Sequence, residues 1–184
     1  MPIYYRPKRK FDIVKLEEIK PYIMIEDKEM SFLMAMLWLT GFRIKDMLSL
    51  RHENIIINYE LEDVQIQAQT SKGGGWANPS FSFKDPFIMD LVIPYIHLHD
   101  DPLLKRGKRR YQQRLQQLNK QIHGDETSKY LTFHYLRHSR ITHLCRVLRA
   151  SAEEVKSWTG HKSSVFEDYI APRKVERFKG RLNE

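Results

Sequence analysis

A single cysteine, Cys145, stands among 184 residues, so no disulfide can close within the chain and the fold has to rest on a packed core. That composition fits a reducing interior, and no secretion signal is evident. Apolar runs long enough to cross a membrane, about eighteen residues, are missing. The stretch from Ile13 to Met24 is broken by charged residues and Pro21. Internal repeats and low-complexity linkers are absent too, which leaves one domain over 1–184 as the expectation. Acidic residues are outnumbered, 23 against 31 Lys and Arg, for a net charge of +8 and a pI near 9.5. A polyanion is the partner such a surface favours, because neutralising phosphates releases counterions.

The positive charge is clustered. Arg6-Pro-Lys-Arg-Lys10 lies in a basic N-terminal segment, 1–11, and Lys105-Arg-Gly-Lys-Arg-Arg110 lies in mid-chain. Arg173, Lys174 and Arg181 belong to a basic tail, 172–184. One such run is usually a solvated surface; three of them beside a phosphate-binding pattern point to double-stranded DNA rather than to a membrane surface.

That pattern consists of Gly41-Phe-Arg43, His134-Tyr-Leu-Arg137, Gly160-His161 and Tyr169, in this order. A phosphodiester gathers negative charge on its non-bridging oxygens as it becomes five-coordinate, and the forked guanidinium is well shaped to meet two of them. Arg43 and Arg137 can form such a clamp. His134 and Arg137 are three apart and share a helix face, and the imidazole adds a proton-transfer group or a hydrogen bond to phosphate. Tyr169 can then attack as a phenol, its ionised form favoured by nearby positive charge. Singly, each residue has an ordinary reading as a capping arginine, a packed histidine or one of nine tyrosines. The ordered combination carries the inference.

The coarse pattern is mainly helical with a small antiparallel sheet, an α+β class. Helices are expected over Asp12 to Ile23, Asp27 to Thr40 and Ile44 to Arg51. Strands follow over Asn54–Tyr59 and Val64–Thr70, then a turn at Ser71-Lys-Gly-Gly-Gly75 and a third strand from Trp76 to Phe83. Further helices span Pro86 to Leu98, Lys108 to Ile122 and Thr132 to Leu148, that from Lys108 being polar enough on one side to lie along solvent or DNA. Ser151-Ala-Glu-Glu154 is a capping box opening a helix that ends near Gly160, and Val165 to Ile170 presents Tyr169 before Pro172.

Leu39-Thr-Gly-Phe-Arg43-Ile-Lys-Asp46 running on to Ile55, His134 to His143, Trp158-Thr-Gly-His161-Lys-Ser-Ser, and Tyr169 together resemble the catalytic domain of a tyrosine recombinase of the phage integrase family. The resemblance implies that fold. It implies that Arg43 and Arg137 bind the scissile phosphate, that His134 assists proton transfer and phosphate binding, and that Asp46 helps hold the site together. His161 falls where the family hydrogen-bonds the phosphate. Tyr169 matches the nucleophile that leaves a 3′-phosphotyrosyl link and a free 5′-hydroxyl. The family's general acid is a lysine on a β-hairpin between the two arginine motifs. Lys72, at the expected hairpin tip and free to swing onto DNA, is the candidate here, and Lys84 the fallback. An N-terminal DNA-clasping domain is usual in the family, and the match begins near the start of this chain. Recombination by four active sites on two duplexes implies self-association on DNA as a tetramer in a synaptic complex, with Val175, Phe178 and Leu182 as a connecting stripe in the tail. The expected location is the cytoplasm or host-cell interior, on DNA.

Other classes fit the same residues less well. His134, His138, His143 and Cys145 fall in one expected helix, yet no glutamate follows His134 and Cys145 lies on another face, so no metal site is expected. No cofactor is expected either, since arginines and lysine supply the positive charge. A helix-turn-helix reader built on Ser151 to His161 leaves Arg43, His134 and Tyr169 unexplained. A non-catalytic DNA-binding protein and a type IB topoisomerase-like enzyme remain as alternatives.

Overall fold

The computed structural model describes residues 13–72 and 74–160. Helices α1 (Leu16–Ile23), α2 (Lys28–Thr40) and α3 (Ile44–Leu48) lead through a 3-10 turn, His52–Asn54, into strands β1 (Ile55–Asn58), β2 (Asp63–Ile66), β3 (Ala68–Gln69), β4 (Trp76–Ala77) and β5 (Ser80–Ser82). A π turn at Ile88–Val92 opens α4 (Ile93–Leu98), followed by α5 (Lys108–His123), α6 (Phe133–Arg146) and α7 (Ala152–Thr159). Helices with a small antiparallel sheet are the class the sequence pattern implies.

Helix α2 is the centre. Every residue from Met30 to Leu37 is buried, as expected of a helix apolar on all sides, and α1, α3 and α6 pack around it. Asp27 starts it by accepting a hydrogen bond from the Met30 amide at 3.1 Å. Gly41 ends it in the left-handed conformation, φ 68°. Phe32 is fully buried and stacks on Tyr95 with ring centroids 4.2 Å apart. Burial of such a side chain contributes about 1.5–3 kcal/mol.

The strand region is more broken than its alternation suggests. The second strand divides at Gln67, whose amide donates to the Asn54 carbonyl at 2.8 Å. Before that point β2 pairs antiparallel with β1 (Ile55 opposite Ile66) and β5 (Val64 opposite Phe81); after it β3 pairs with β4, Ala68 opposite Ala77. The third strand divides as well, since Pro79 has no amide to donate and the Asn78 amide leaves the sheet for the Ser157 carbonyl of α7, 2.8 Å away. Helix boundaries shift similarly. The helix expected from Pro86 begins only after Phe87, which has φ 68°, and α3 stops at Leu48 instead of Arg51. Thr132 is the cap of α6 and not its first residue.

Candidate active site

Two arginines meet where α2 stops. Gly41 turns the chain, Phe42 is buried, and Arg43 caps α3 with extended backbone. The carbonyl of Gly41 accepts a hydrogen bond from Arg137 Nη1 at 2.7 Å, so the first arginine motif anchors the second. The helix carrying Arg137 approaches so closely that a Cβ on Gly41 would stand 2.8 Å from Cβ and 2.9 Å from Cγ of Arg140. Glycine is thus required both for its positive φ and for space.

Arg137 is buried, 5% exposed, and Arg43 is partly exposed. Burial first, then the Arg43 charge, draws the Arg137 pKa down to about 10, with Asp46 opposing; the group stays cationic at neutral pH. Asp46, buried, is the anion beneath. Its Oδ2 lies 3.8 Å from Arg43 Nη1, and its Oδ1 accepts from the Ser71 amide at 2.8 Å and the Ser71 hydroxyl at 2.7 Å. One buried carboxylate therefore links the arginine segment to the β3–β4 hairpin.

His134 sits in the first turn of α6. The Thr132 hydroxyl caps that turn by accepting from the Tyr135 amide at 3.0 Å. Buried Asn119 of α5 fixes the preceding residue, accepting from the Leu131 amide at 2.8 Å and donating to its carbonyl at 2.9 Å. Burial, with Arg137 and Arg43 adding to it, lowers the His134 pKa.

Arg43, His134 and Arg137 line one open groove of about 1130 Å³. Helix α5 forms its other wall, where Lys108, Gln112, Gln116 and Lys120 recur every four residues. With Lys45 and Arg109 the groove has six Lys or Arg side chains on its walls, and no Asp or Glu is among the described residues that line it. Such a surface binds anions.

Lys72 is exposed in the β3–β4 turn. Its neighbour Ser71 is held by Asp46, so the first residue of the turn is tied to α3. Lys84 lies in the turn after β5, on the other sheet. The hairpin also leans on the end of α7: a Cβ at Gly160 would come within 2.4 Å of Thr70 Cγ2 and 3.3 Å of Ala77 Cβ. His161 and Tyr169 lie outside the described residues, as do both basic terminal segments and the stripe of Val175, Phe178 and Leu182.

One side chain of this region, Ser71, carries no signal in the sequence, because it acts through Asp46, 25 positions away. His138 is legible as a neighbour of His134 by its spacing of four, but as a candidate metal ligand and not as a hydrogen-bond partner. The central basic run is also divided. Arg106 turns inward and grips Asp27 with Nη1 at 2.6 Å and Nη2 at 3.0 Å, while Lys108 and Arg109 face the groove. Burial, the largest single influence, opposes ionisation of Asp27, but the Arg106 and Met30 hydrogen bonds and the charges of Arg106 and Arg114 together outweigh it and the pKa is lowered. No group of three or more His, Cys, Asp or Glu disposed to hold a metal ion occurs among the described residues, and Cys145 is buried. No helix among the described residues is long and apolar enough to cross a membrane.

The fold is that of the catalytic domain of tyrosine recombinases. It is similar to the XerH site-specific recombinase in a pre-cleavage complex with difH substrate, with a TM-score of 0.63 and 17% identity over 88% of this chain and 51% of that one. XerH in a post-cleavage complex with palindromic difH gives 0.67 and 14% identity over 96% and 55%. The XerA recombinase gives 0.61 and 19% over 86% and 59%. The chain thus spans between half and three-fifths of the solved chains it matches. No protein-family model and no curated protein matches the sequence.

Proposed function

We propose that this chain is the catalytic domain of a site-specific recombinase that cuts and rejoins double-stranded DNA through a 3′-phosphotyrosyl intermediate. The observation that carries the reading is the groove, with no Asp or Glu among the described residues that line it, in which Arg43 and Arg137, joined at Gly41, stand beside His134. In this reading the scissile phosphate sits on the two guanidiniums and His134. The Tyr169 phenol gives up its proton with His134 assisting, its oxygen bonds to phosphorus as the bond to the 5′-oxygen breaks, and Lys72 protonates that leaving oxygen. His161 adds a hydrogen bond to the phosphate, and Asp46 holds Arg43 and the hairpin in register. Rejoining is the reverse, with a 5′-hydroxyl attacking the phosphotyrosyl link. Charge stabilisation by arginines preorganised in this way is worth most in the transition state.

The regular polar face of α5 would lie along the duplex and supply contacts beyond the phosphate. Protomers would associate on DNA, as a tetramer in a synaptic complex, because one chain has one set of these residues and strand exchange needs four. Work on DNA places the protein in the cell interior.

The test is covalent capture. Incubation with a pool of nicked duplexes of random sequence, followed by a denaturing gel, should give a protein–DNA adduct, and Tyr169→Phe should abolish it while leaving binding within about twofold, since no positive charge is lost. Salt-sensitive binding without any adduct would instead identify a non-catalytic DNA-binding protein. Relaxation of supercoiled DNA without strand exchange would favour the type IB topoisomerase-like alternative.

A further inference from the structure

His138, one turn beyond His134, has no part in that scheme. Its Nε2 lies 2.7 Å from His134 Nε2, and the two rings meet edge to face with centroids 4.3 Å apart and planes at 84°. Residues four apart on a helix share a face, but a nitrogen-to-nitrogen contact this short requires a hydrogen bond, and a hydrogen bond requires one proton between the two atoms. The rings must then be complementary: one carries its proton on Nε2 and the other presents a bare Nε2 and carries its proton on Nδ1. Two positive rings would repel at this distance. Burial, the His134 ring and Arg137 all push His138 toward its neutral form, to a pKa of about 4, in agreement with the contact.

The His134 ring makes no other hydrogen bond to the described residues. With Nε2 committed to His138, its Nδ1 is the nitrogen left for a ligand in the groove that His134 lines with Arg43 and Arg137.

We infer that His138 is a positioning residue, which fixes the ring orientation and the tautomer of His134 so that His134 meets the scissile phosphate through Nδ1. The inference rests on the recombinase reading for its catalytic consequence and for which of the two Nε2 atoms carries the shared proton, while the short Nε2–Nε2 contact itself stands on the free protein alone. A histidine that must work through one chosen nitrogen is commonly oriented by a partner on the other, and loss of such a partner typically costs about 10- to 100-fold in function.

Two measurements on the full chain test it. Nitrogen-15 NMR of the free protein near pH 7 should show His134 in one tautomer, and His138→Leu should convert it to the mixture typical of an untethered imidazole. In covalent capture on nicked duplexes, His138→Leu should slow adduct formation by about 10- to 100-fold. His138→Gln, whose terminal amide can donate or accept near the Nε2 position, should restore most of the rate and the single tautomer. Mixed tautomers in the wild type, or a His138→Leu rate equal to wild type, would overturn the inference and leave the recombinase reading intact. A His138→Gln protein as slow as His138→Leu would overturn it also, since packing rather than the hydrogen bond would then be the contribution. A wild type that forms no adduct yet shows the locked tautomer would sink the recombinase reading and the catalytic part of the inference with it.

Discussion

Replacing Gly41 by alanine is the sharpest test of how the two arginines are joined. The residue has φ 68°, and a side chain held in that region costs about 1–2 kcal/mol. The added Cβ would also stand 2.8 Å and 2.9 Å from Arg140 Cβ and Cγ, well inside contact distance. Those atoms cannot swing aside, because the Arg140 Nε donates to the Trp38 carbonyl at 2.9 Å and its guanidinium lies over the Trp38 ring. Relief therefore requires movement of α6 against α2, an overpacking cost of about 1–3 kcal/mol. The two contributions together come to about 2–5 kcal/mol, which for a domain of this size lowers Tm by about 4–20 °C. Urea unfolding followed by circular dichroism measures this, with Gly107→Ala as the control. Gly107 has an ordinary φ of −73°, and a methyl group there would meet nothing within 4 Å, so its loss should cost no more than about 1 kcal/mol. If Gly41→Ala unfolds at the same urea concentration as Gly107→Ala, the proposed contact between the α2 terminus and α6 is wrong.

The remaining expectations concern chemistry and pH. Arg43→Ala should slow covalent capture by about 100-fold or more while weakening DNA binding far less, because its charge is needed mainly in the transition state; equal losses would make it an ordinary DNA contact. Lys72→Ala should be largely rescued on a substrate whose bridging 5′-oxygen is sulfur, since a thiolate leaves without the proton, and rescue of Lys84→Ala in its place would reassign the acid. Burial depresses His138 from its ordinary 6.5 to about 4 and also lowers His134 and His143. The unfolded chain therefore binds more protons in this window, so these groups' contribution to stability is complete above about pH 6.5 and is lost as pH falls toward 4. Urea midpoints at pH 7 and pH 5 should differ accordingly, and by less in His138→Gln; an identical pH dependence in the two proteins would contradict it.

Much of this architecture is legible where the cause is local. Gly41 after an apolar run marks the end of α2, and Ser151 with Glu154 announces α7, where the Glu154 amide donates to the Ser151 hydroxyl at 3.1 Å and the Ser151 amide to the Glu154 carboxylate at 2.6 Å. The helical spacing of His134 and Arg137 brings both to the groove. What escapes the sequence depends on distant partners. Strand β2 ends because Asn54 takes the Gln67 amide, and β4 ends because Ser157 takes that of Asn78; alternation of side chains carries no trace of either. Arg106 looks like its basic neighbours until Asp27, 79 positions away, is seen to hold it. Likewise, nothing beside Ser71 in the chain announces that Asp46 waits for it.

The packing of Gly160 against Thr70 and Ala77 has a consequence for anyone transplanting parts between proteins of this fold. The β3–β4 hairpin is not a portable cassette. Its outer turn can be lengthened or recoloured without disturbing these contacts, but its base is fitted to a bare α-carbon at the end of α7 and tethered to α3 through Asp46. A graft that brings in a larger residue at 70, 77 or 160 would have to bring the facing surface with it. Chimeras that exchange 68–77 together with 155–160 should therefore fold where exchange of the hairpin alone does not.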